Sequence, residues 1–166
     1  MLRFHFVLSL GALFSVLFSS SPSLAVTGVN NAKGIDGQVL TVNKSAGLVS
    51  GSKVTATGSG FSTKHGIYVA FCEIPAKGLR PANCYGGINL DGKGTGSVWI
   101  TNKLPFSSMK LAKKWGKNGS FSVQVEVVRF IGTTDCKRVK CGIVTRADHF
   151  EPDFRRADVF VPLTFK

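Results

Sequence analysis

The sequence predicts an all-β protein in which two antiparallel sheets of about seven strands pack face to face as a sandwich. Three observations support this prediction. Short alternating or β-branched runs recur along the chain, and turns containing glycine separate them. No long stretch has the periodicity of an amphipathic helix. Four cysteines lie in the same part of the chain, which is typical of exported domains held together by disulfides.

The first 25 residues predict a secretory signal peptide. A single cation, Arg3, precedes the almost wholly apolar residues 6–18. Residues 23–25, Ser-Leu-Ala, then place small residues at positions −3 and −1 of a cleavage site before Val26. An uncleaved anchor is disfavoured, because the apolar run has about 13 residues and a spanning helix needs about 20. We therefore expect a secreted or loosely envelope-associated protein with no transmembrane span after cleavage.

The strands follow the predicted leader. Residues 26–37 are small and polar, so they predict a flexible leader, and the sandwich domain is expected to span residues 38–166. Alternation is clearest in residues 121–127, where Phe and Val face the core and Ser, Gln and Glu face outward. Turn dipeptides such as Asp91-Gly92 and Asn118-Gly119 separate the segments. The predicted strands are residues 39–43, 53–58, 66–72, 96–101, 120–130, 142–146 and 158–165.

One segment departs from the strand pattern. Residues 107–115 predict about two helical turns, with Ser107 as N-cap and Gly116 as stop signal. Leu111 and Trp115 stand four residues apart, so they would share one face of this helix.

The chain is strongly basic, with a formal net charge of +12 at pH 7. Signal removal would take Arg3 from the 21 Lys and Arg residues, and the 9 acidic residues then leave +11. Such a charge favours anionic partners, which for an exported protein are envelope lipids or polymers. Specific nucleic-acid binding is not expected, because no predicted helix suits a major groove. The charge is most one-sided between Asp91 and Glu126, where there are lysines and no acidic residue.

These lysines allow two interpretations. They form an anionic-surface site together with Leu111 and Trp115, or they are a solvated face under which Trp115 packs. The candidate anionic-surface residues are Lys103, Lys110, Lys113, Lys114 and Lys117.

The cysteines Cys72, Cys84, Cys136 and Cys141 predict two disulfides, since an even count in an exported chain is usual for paired cysteines. Three connectivities are possible, and local pairing of the first two and the last two is the simplest. Each local bridge would close a short loop and stabilise the fold by about 2–3 kcal/mol through the unfolded state. A zinc site would need tighter pairs and more histidines, so the sequence predicts no metal and no other cofactor.

Several segments after the leader occur in a characteristic order. They are Leu40-Thr41-Val42, residues 45–48, residues 54–61, residues 66–72 with Cys84, Asn118-Gly119-Ser120, and Asp135-Cys136 with Cys141-Gly142. Together they resemble the neocarzinostatin–macromomycin family of secreted actinobacterial proteins, and in particular its secreted and cell-surface branch of unassigned activity. The resemblance implies an immunoglobulin-like β-sandwich. It also implies the disulfide pairing Cys72–Cys84 and Cys136–Cys141.

The resemblance further implies a ligand cleft above one sheet. The antibiotic-carrying members hold an enediyne chromophore against aromatic rings and the first disulfide. This chain keeps the disulfide, but Ile74 stands where the carriers have tryptophan, and residues 85–89 lack their phenylalanine. The carriers are acidic, whereas this chain is basic. The candidate ligand-binding residues are Phe71, Tyr85, Trp99, Phe106 and Trp115, unless these rings only fill the core.

Charged residues crowd the segment before the last predicted strand. A catalytic interpretation would use His149 as a general base, but no nucleophile or oxyanion donor can be placed near it. Pairing of Arg146 with Asp148 or Asp158 to fix a loop is the favoured interpretation. We therefore expect a secreted, non-enzymatic binding domain for a small apolar ligand or an anionic envelope surface. The alternatives are a structural or adhesive envelope module with a protein partner, or an antibiotic carrier with an antimicrobial role.

Overall fold

A computed structural model describes Met1, residues 30–87, Asn89, Asp91 and residues 93–166. The predicted signal peptide, Met1 apart, lies outside the described residues. Within them the chain forms ten strands: β1 (Asn31–Lys33), β2 (Val39–Val42), β3 (Ser52–Ser59), β4 (Ile67–Glu73), β5 (Ser97–Ile100), β6 (Phe121–Val127), β7 (Phe130–Ile131), β8 (Thr134–Asp135), β9 (Cys141–Ala147) and β10 (Val159–Leu163). Two short 3-10 turns, Lys117–Gly119 and Arg155–Ala157, complete the elements.

The strands form two large sheets that pack against each other. The first sheet has the order β1-β2-β3-β6, the second sheet has the order β10-β9-β4-β5, and β7 and β8 form a separate hairpin. Every strand pair is antiparallel. The all-β antiparallel sandwich is therefore confirmed, and each of the seven predicted strands is present. The predicted strand 120–130 is divided, because β6 ends at Val127 and the chain resumes pairing in the β7–β8 hairpin.

The first sheet alternates between the core and the surface. Val54 lies opposite Val125, and Ala56 lies opposite Val123, so these cross-strand pairs face the second sheet. Every second residue along β6 points away from the core, as the sequence predicts. Phe121 crosses Gly58, where a Cβ atom would lie 2.0 Å from the ring. A glycine is needed there because only it lets the ring lie against the strand.

The second sheet is covered on both faces. Ile67, Val69 and Phe71 of β4 enter the shared core. The residues between and after them, Tyr68, Ala70 and Cys72, point to the outer face of the sheet, yet they are buried as well. β9 is buried at all of its positions. Loops therefore cover the outer face of this sheet, and that face positions the candidate site.

The prediction of a helix over residues 107–115 is wrong. The segment forms a series of turns, and Lys110 adopts a positive φ of 60°, which ends any helical run. Lys113 instead pairs with the edge of β5, since its N–H donates to Trp99 O at 2.9 Å and its O accepts from Thr101 N at 2.9 Å. Edge pairing and the packing of Ala112 against Trp99 thus override the weak helical periodicity.

The predicted leader also needs a correction. Asn31–Lys33, inside residues 26–37, forms strand β1 and pairs with β2. Ala32 packs against the shared core, so the sheet begins before residue 38. The residues of the leader before Asn30 lie outside the described part of the chain.

The two disulfides have the expected pairing. Cys72 is bonded to Cys84, and Cys136 is bonded to Cys141. The second bridge joins the β7–β8 hairpin to the start of β9 and packs in the shared core. The first bridge lies on the outer face of the second sheet, beside Ala70 and Val144.

Candidate ligand-binding cleft

The outer face of the second sheet contains an open cavity of about 220 Å³ beside the first disulfide, which we call the outer cleft. The register of the sheet builds its floor, because Tyr68 of β4 lies between Trp99 of β5 and Arg146 of β9. Ala70, two residues along β4, continues that floor. The residues that line the outer cleft are Tyr68, Ala70, Arg80, Ala82, Cys84, Gly87 and Arg146.

The loop after β4 forms the wall of the outer cleft. Beyond the end of β5, residues 83–85 take over the pairing with β4, since Glu73 N donates to Asn83 O and Tyr85 N donates to Phe71 O, both at 2.9 Å. Cys72 and Cys84 face each other across this backbone pairing and are joined by the first disulfide. The loop is thus tied to the sheet by covalent and hydrogen bonds at its C-terminal side.

Two arginines hold the rest of this loop. Arg146 Nη1 donates to Pro81 O at 2.6 Å, and Arg155 Nη2 donates to Leu79 O at 2.7 Å. Arg155 Nε also donates to Asp158 Oδ2 at 2.6 Å. The path of residues 79–81, and with it the position of Arg80, therefore depends on the guanidinium groups of Arg146 in the second sheet and of Arg155 in the 3-10 turn before β10.

The outer cleft is positively charged. Arg146 is only 8 % exposed, and burial, followed by the nearby charge of Arg80, lowers the pKa of its guanidinium below the ordinary value. Asp158 has the opposite charge, but burial raises the pKa of that carboxyl, and its hydrogen bond goes to Arg155. Within the described residues Arg146 Nε is buried without a hydrogen-bond partner.

A polar and aromatic cluster borders the outer cleft. The Tyr68 hydroxyl lies 2.7 Å from His149 Nδ1, and burial, with the charge of Asp148 as a second cause, raises the pKa of Tyr68 above its ordinary value. Asp148 is 2 % exposed and accepts from Trp99 Nε1 and from Phe150 N, each at 3.0 Å. These bonds fix the rings around His149 in place.

The comparisons with known proteins agree with this architecture. The model of the Neocarzinostatin family matches residues 40–160. The chain belongs to the neocarzinostatin family. Among solved structures, the chain is similar to macromomycin at 19 % identity, covering 78 % of this chain and 99 % of that one, with a TM-score of 0.51. It is also similar to apokedarcidin at 19 % identity, covering 76 % of this chain and 96 % of that one, with a TM-score of 0.43.

At these identities the likeness to macromomycin shows the fold alone, which is the neocarzinostatin-type sandwich that the sequence resemblance implies. No curated protein sequence matches the chain.

The five aromatic residues predicted to bind ligand are not brought together by the neocarzinostatin-type fold. Phe71 is fully buried between the sheets, and Trp115 is in the same core beside Phe61 and Phe121. Tyr85 packs against this core as well. Trp99 and Phe106 do touch, with ring centroids 5.0 Å apart, but they lie in the cluster next to the outer cleft. None of the five is among the residues that line it.

Strand alternation in the sequence contains a signal for the residues that line the outer cleft, and it does not select the five predicted aromatic residues. Strand alternation places Tyr68 and Ala70 on the same face as Cys72, opposite to Phe71. A ligand-site prediction based on the residues that share a strand face with Cys72 selects Tyr68 and not Phe71. Arg146 was expected to pair with Asp148 or Asp158, but its hydrogen bond goes to Pro81 O, while Trp99 and Arg155 occupy the two carboxylates.

The five candidate lysines all lie on the surface of the segment that we call the lysine segment, residues 103–117. Lys103 Nζ lies 3.6 Å from the centre of the Phe150 ring. Two apolar side chains of the same segment are also exposed, Leu104 at 69 % and Met109 at 61 %. The segment therefore presents cations and apolar groups together.

A second cavity, of about 240 Å³, lies at one end of the sandwich beside Phe61 and Phe154. Its polar groups are largely occupied, since Gln38 Nε2 donates to Arg156 O at 2.5 Å and Arg156 is paired with Asp36. His65 stacks on Phe154 with ring centroids 3.8 Å apart.

In residues 30–87, 89, 91 and 93–166, no group of three or more His, Cys, Asp or Glu side chains is arranged to hold a metal ion. None of the helical turns in this part of the chain has the length and apolar character needed to cross a membrane.

Proposed function

We propose that this protein is a non-enzymatic binding protein that holds a small ligand in the outer cleft. The observation that carries the proposal is the open cavity of about 220 Å³ beside the first disulfide. Its floor and wall contain small residues, Ala70, Ala82 and Gly87, which leave room above the sheet. Concave sites with an apolar lining and a few polar groups are the usual form of small-molecule sites.

The size of the outer cleft limits its ligand. Pockets for drug-sized molecules are about 300–1,000 Å³, so a cavity of this volume suits a smaller molecule of one or two rings. Ile74 packs beside Ala70 and Val144 on the same face, where the antibiotic carriers have a tryptophan. The role of an enediyne carrier is therefore less favoured than that of a receptor for a smaller ligand.

Catalysis is not part of this proposal. His149 contacts Tyr68 through Nδ1, and its ring packs 4.9 Å from Trp99. Asp148 is occupied by Trp99 and by the backbone of Phe150, so it is not available to orient His149 as a general base. Tyr68 is disfavoured as an acid–base group because its pKa is raised above its ordinary value.

We further propose that the protein is exported. Residues 1–25 have the layout of a signal peptide, and the two disulfides suit an oxidising compartment.

An obstructing substitution tests the outer cleft. Ala82→Phe places a ring at the mouth of the cleft, whereas Ala76→Phe adds the same ring to an exposed position of the same loop that does not line the cleft. A panel of one- and two-ring compounds is screened by ligand-observed NMR. We expect that compounds bound by the wild type and by A76F will be lost by A82F. Equal binding by the two variants would show that the ligand lies elsewhere.

A second candidate function, contact with an anionic envelope surface, is favoured by one observation. The lysine segment exposes Leu104 and Met109 among its cations, and such a combination suits an anionic lipid surface. The double substitution K113Q/K114Q is compared with K33Q/K53Q, which removes the same charge from exposed positions of the first sheet. Weaker sedimentation with phosphatidylglycerol vesicles only for the first variant supports the segment, and equal loss rejects it.

A further inference from the structure

The lining of the outer cleft contains two arginines and, among the residues described, no acidic side chain. Arg146 is unusual because its β9 position is buried on the outer face of the sheet. Burying a guanidinium is unfavourable unless charge and hydrogen bonds compensate it. Arg146 has only partial compensation, since Nη1 donates to Pro81 O while the buried Nε has no partner in the described part of the chain.

The carboxylate whose charge acts on the pKa of Arg146 does not complete this compensation. Asp158 has a side chain that is 7 % exposed, and it is already paired with Arg155. Arg80 adds a further cation at the wall of the outer cleft. The charges that act on the pKa of Arg146 include Arg80 and Arg155, which lower it, and Asp158, which raises it. Three guanidinium groups and the carboxylate of Asp158 therefore act on one another here, while the other buried carboxylate, Asp148, is bonded to Trp99 and to the backbone of Phe150.

Loop anchoring does not account for this arrangement. A neutral donor would suffice to hold the Pro81 carbonyl, and Arg155 already fixes the neighbouring Leu79. Anchoring also gives no reason for Arg80, which is exposed to solvent at the wall of the same cavity. An arginine supplies planar, charged donors that match carboxylate and phosphate oxygens.

We propose that the ligand of the outer cleft carries one oxyanion group, a carboxylate or a phosphate, that Arg146 and Arg80 bind, while an apolar body lies against Ala70 and Ala82. This inference rests on the proposed function, because it assigns the ligand class of the same cleft. The oxyanion supplies the negative charge that the protein leaves out of this cavity. The small residues of the floor and wall select the apolar part of the ligand.

Four matched probes test the charge preference. They are 2-naphthoate, 2-naphthyl phosphate, neutral 2-naphthalenemethanol and cationic 2-naphthylmethylammonium, each titrated into the full mature chain by calorimetry. We expect at least one of the two anions to bind about tenfold or more tightly than the alcohol, since hydrogen bonds to charged groups are the stronger ones. The cation is expected to bind most weakly. The tighter of the two anions identifies the oxyanion as carboxylate or phosphate.

Arginine variants locate the effect. Arg80→Gln changes an exposed residue, so the fold is expected to persist, and it should lower anion affinity by about fivefold while affinity for the alcohol stays the same. Arg138→Gln is the control, since it removes the same charge from an exposed loop near the second disulfide. Arg146→Gln should remove most of the preference for the anion. If R146Q does not fold, the comparison of R80Q with R138Q decides the matter.

The outcomes separate this inference from the function on which it rests. Equal affinity for the alcohol and the anions overturns the oxyanion assignment but leaves the ligand-binding proposal standing. Equal loss of affinity in R80Q and R138Q also overturns it, because the effect then reflects net charge and not this site. If no probe changes the NMR amide signals of Ala70, Ala82 and Gly87, both proposals fail.

Discussion

The two large sheets of the sandwich share one core but differ on the faces that point away from it. In the first sheet, buried and accessible residues alternate along β3 and β6, as expected for a sheet with one face in water. In the second sheet, β4 and β9 are buried at nearly every position, because loops cover their outer face. The first sheet therefore buries side chains only in the shared core, whereas the second sheet also buries side chains beneath loops on its outer face, which forms a second interior.

The second interior has a different chemistry from the core. The core is made of aliphatic and aromatic side chains and the second disulfide, whereas the covered face also contains Tyr68, Arg146 and Asp148. Buried polar groups need partners, and here these are provided by His149, Pro81 O and Trp99 Nε1. A sandwich of this kind can therefore keep its stability in the shared core and place its binding chemistry on the covered outer face of one sheet.

The largest expected effect belongs to the shared core. Phe71 is completely buried between the sheets, so Phe71→Ala should lower the free energy of unfolding by about 3–5 kcal/mol. The control is Phe130→Ala at a residue that is 52 % exposed, for which we expect a change within about 0.5 kcal/mol. Urea denaturation followed by fluorescence measures both. A loss below about 1 kcal/mol for F71A would show that this side chain does not support the core.

The covered face should be less sensitive to lost volume and more sensitive to lost partners. Trp99→Phe keeps an aromatic ring but leaves the buried Asp148 carboxylate with one donor fewer, at a cost of about 1–3 kcal/mol. The matched control is Trp115→Phe in the core, because Trp115 Nε1 donates to the uncharged backbone carbonyl oxygen of His65 at 3.1 Å. We expect W99F to be the more destabilising of the two in urea denaturation. The reverse order would contradict the distinction between the faces.

Alkaline titration examines the covered face through Tyr68. Its pKa is raised above the ordinary 10.0, first by burial and then by the charge of Asp148. Because the pKa of Tyr68 is higher in the folded state than in the unfolded state, its contribution to stability is complete below pH 10. This contribution is lost as the pH rises from there towards the raised pKa of the folded state. Phenolate absorbance should therefore show one of the two tyrosines ionising only with unfolding. Tyr68→Phe should abolish this delayed step, and its persistence in that variant would refute the assignment.

The smallest effect compares equivalent serines on the outward faces of the two sheets. Ser122 is exposed on the first sheet, so Ser122→Ala should change the free energy of unfolding by less than about 0.5 kcal/mol. Ser97 is 1 % exposed on the second sheet, and its Oγ donates to Gly87 O at 3.2 Å. Ser97→Ala should therefore cost about 1 kcal/mol. Thermal melts of both variants measure the difference, and equal stabilities would argue that the outer face of the second sheet is not a true interior.

Much of the fold could be predicted because its signals are local. Alternation in residues 121–127 and the spacing of the cysteines identify strands and favour local bridges. The strands that escaped prediction wholly or in part, β1, β7 and β8, have only two or three residues each, too few for a period of two to be recognised. The helix predicted over residues 107–115 failed because the edge of β5 offers Lys113 better backbone partners than a helix would.

The outer cleft could not be predicted to the same extent because its neighbours are distant in sequence. Tyr68 and Arg146 meet only through the register of β4 with β9. Arg80 lies in an irregular loop whose path depends on hydrogen bonds to Arg146 and Arg155. Neither contact leaves a local pattern in the sequence. Large aromatic residues are readily predicted as ligand contacts, but some of them, such as Phe71, fill the core.

Binding in the outer cleft is measured most directly by amide chemical-shift mapping of the labelled mature chain, with 2-naphthoate and 2-naphthyl phosphate added in turn. We expect the largest shifts at Ala70, Ala82 and Gly87, which line the outer cleft on the covered sheet. The amides of Ser122 and Gln124, on the solvated face of the first sheet, should stay unchanged. Shifts centred on the first sheet or on the lysine segment, or no shifts at all, would contradict binding in the outer cleft.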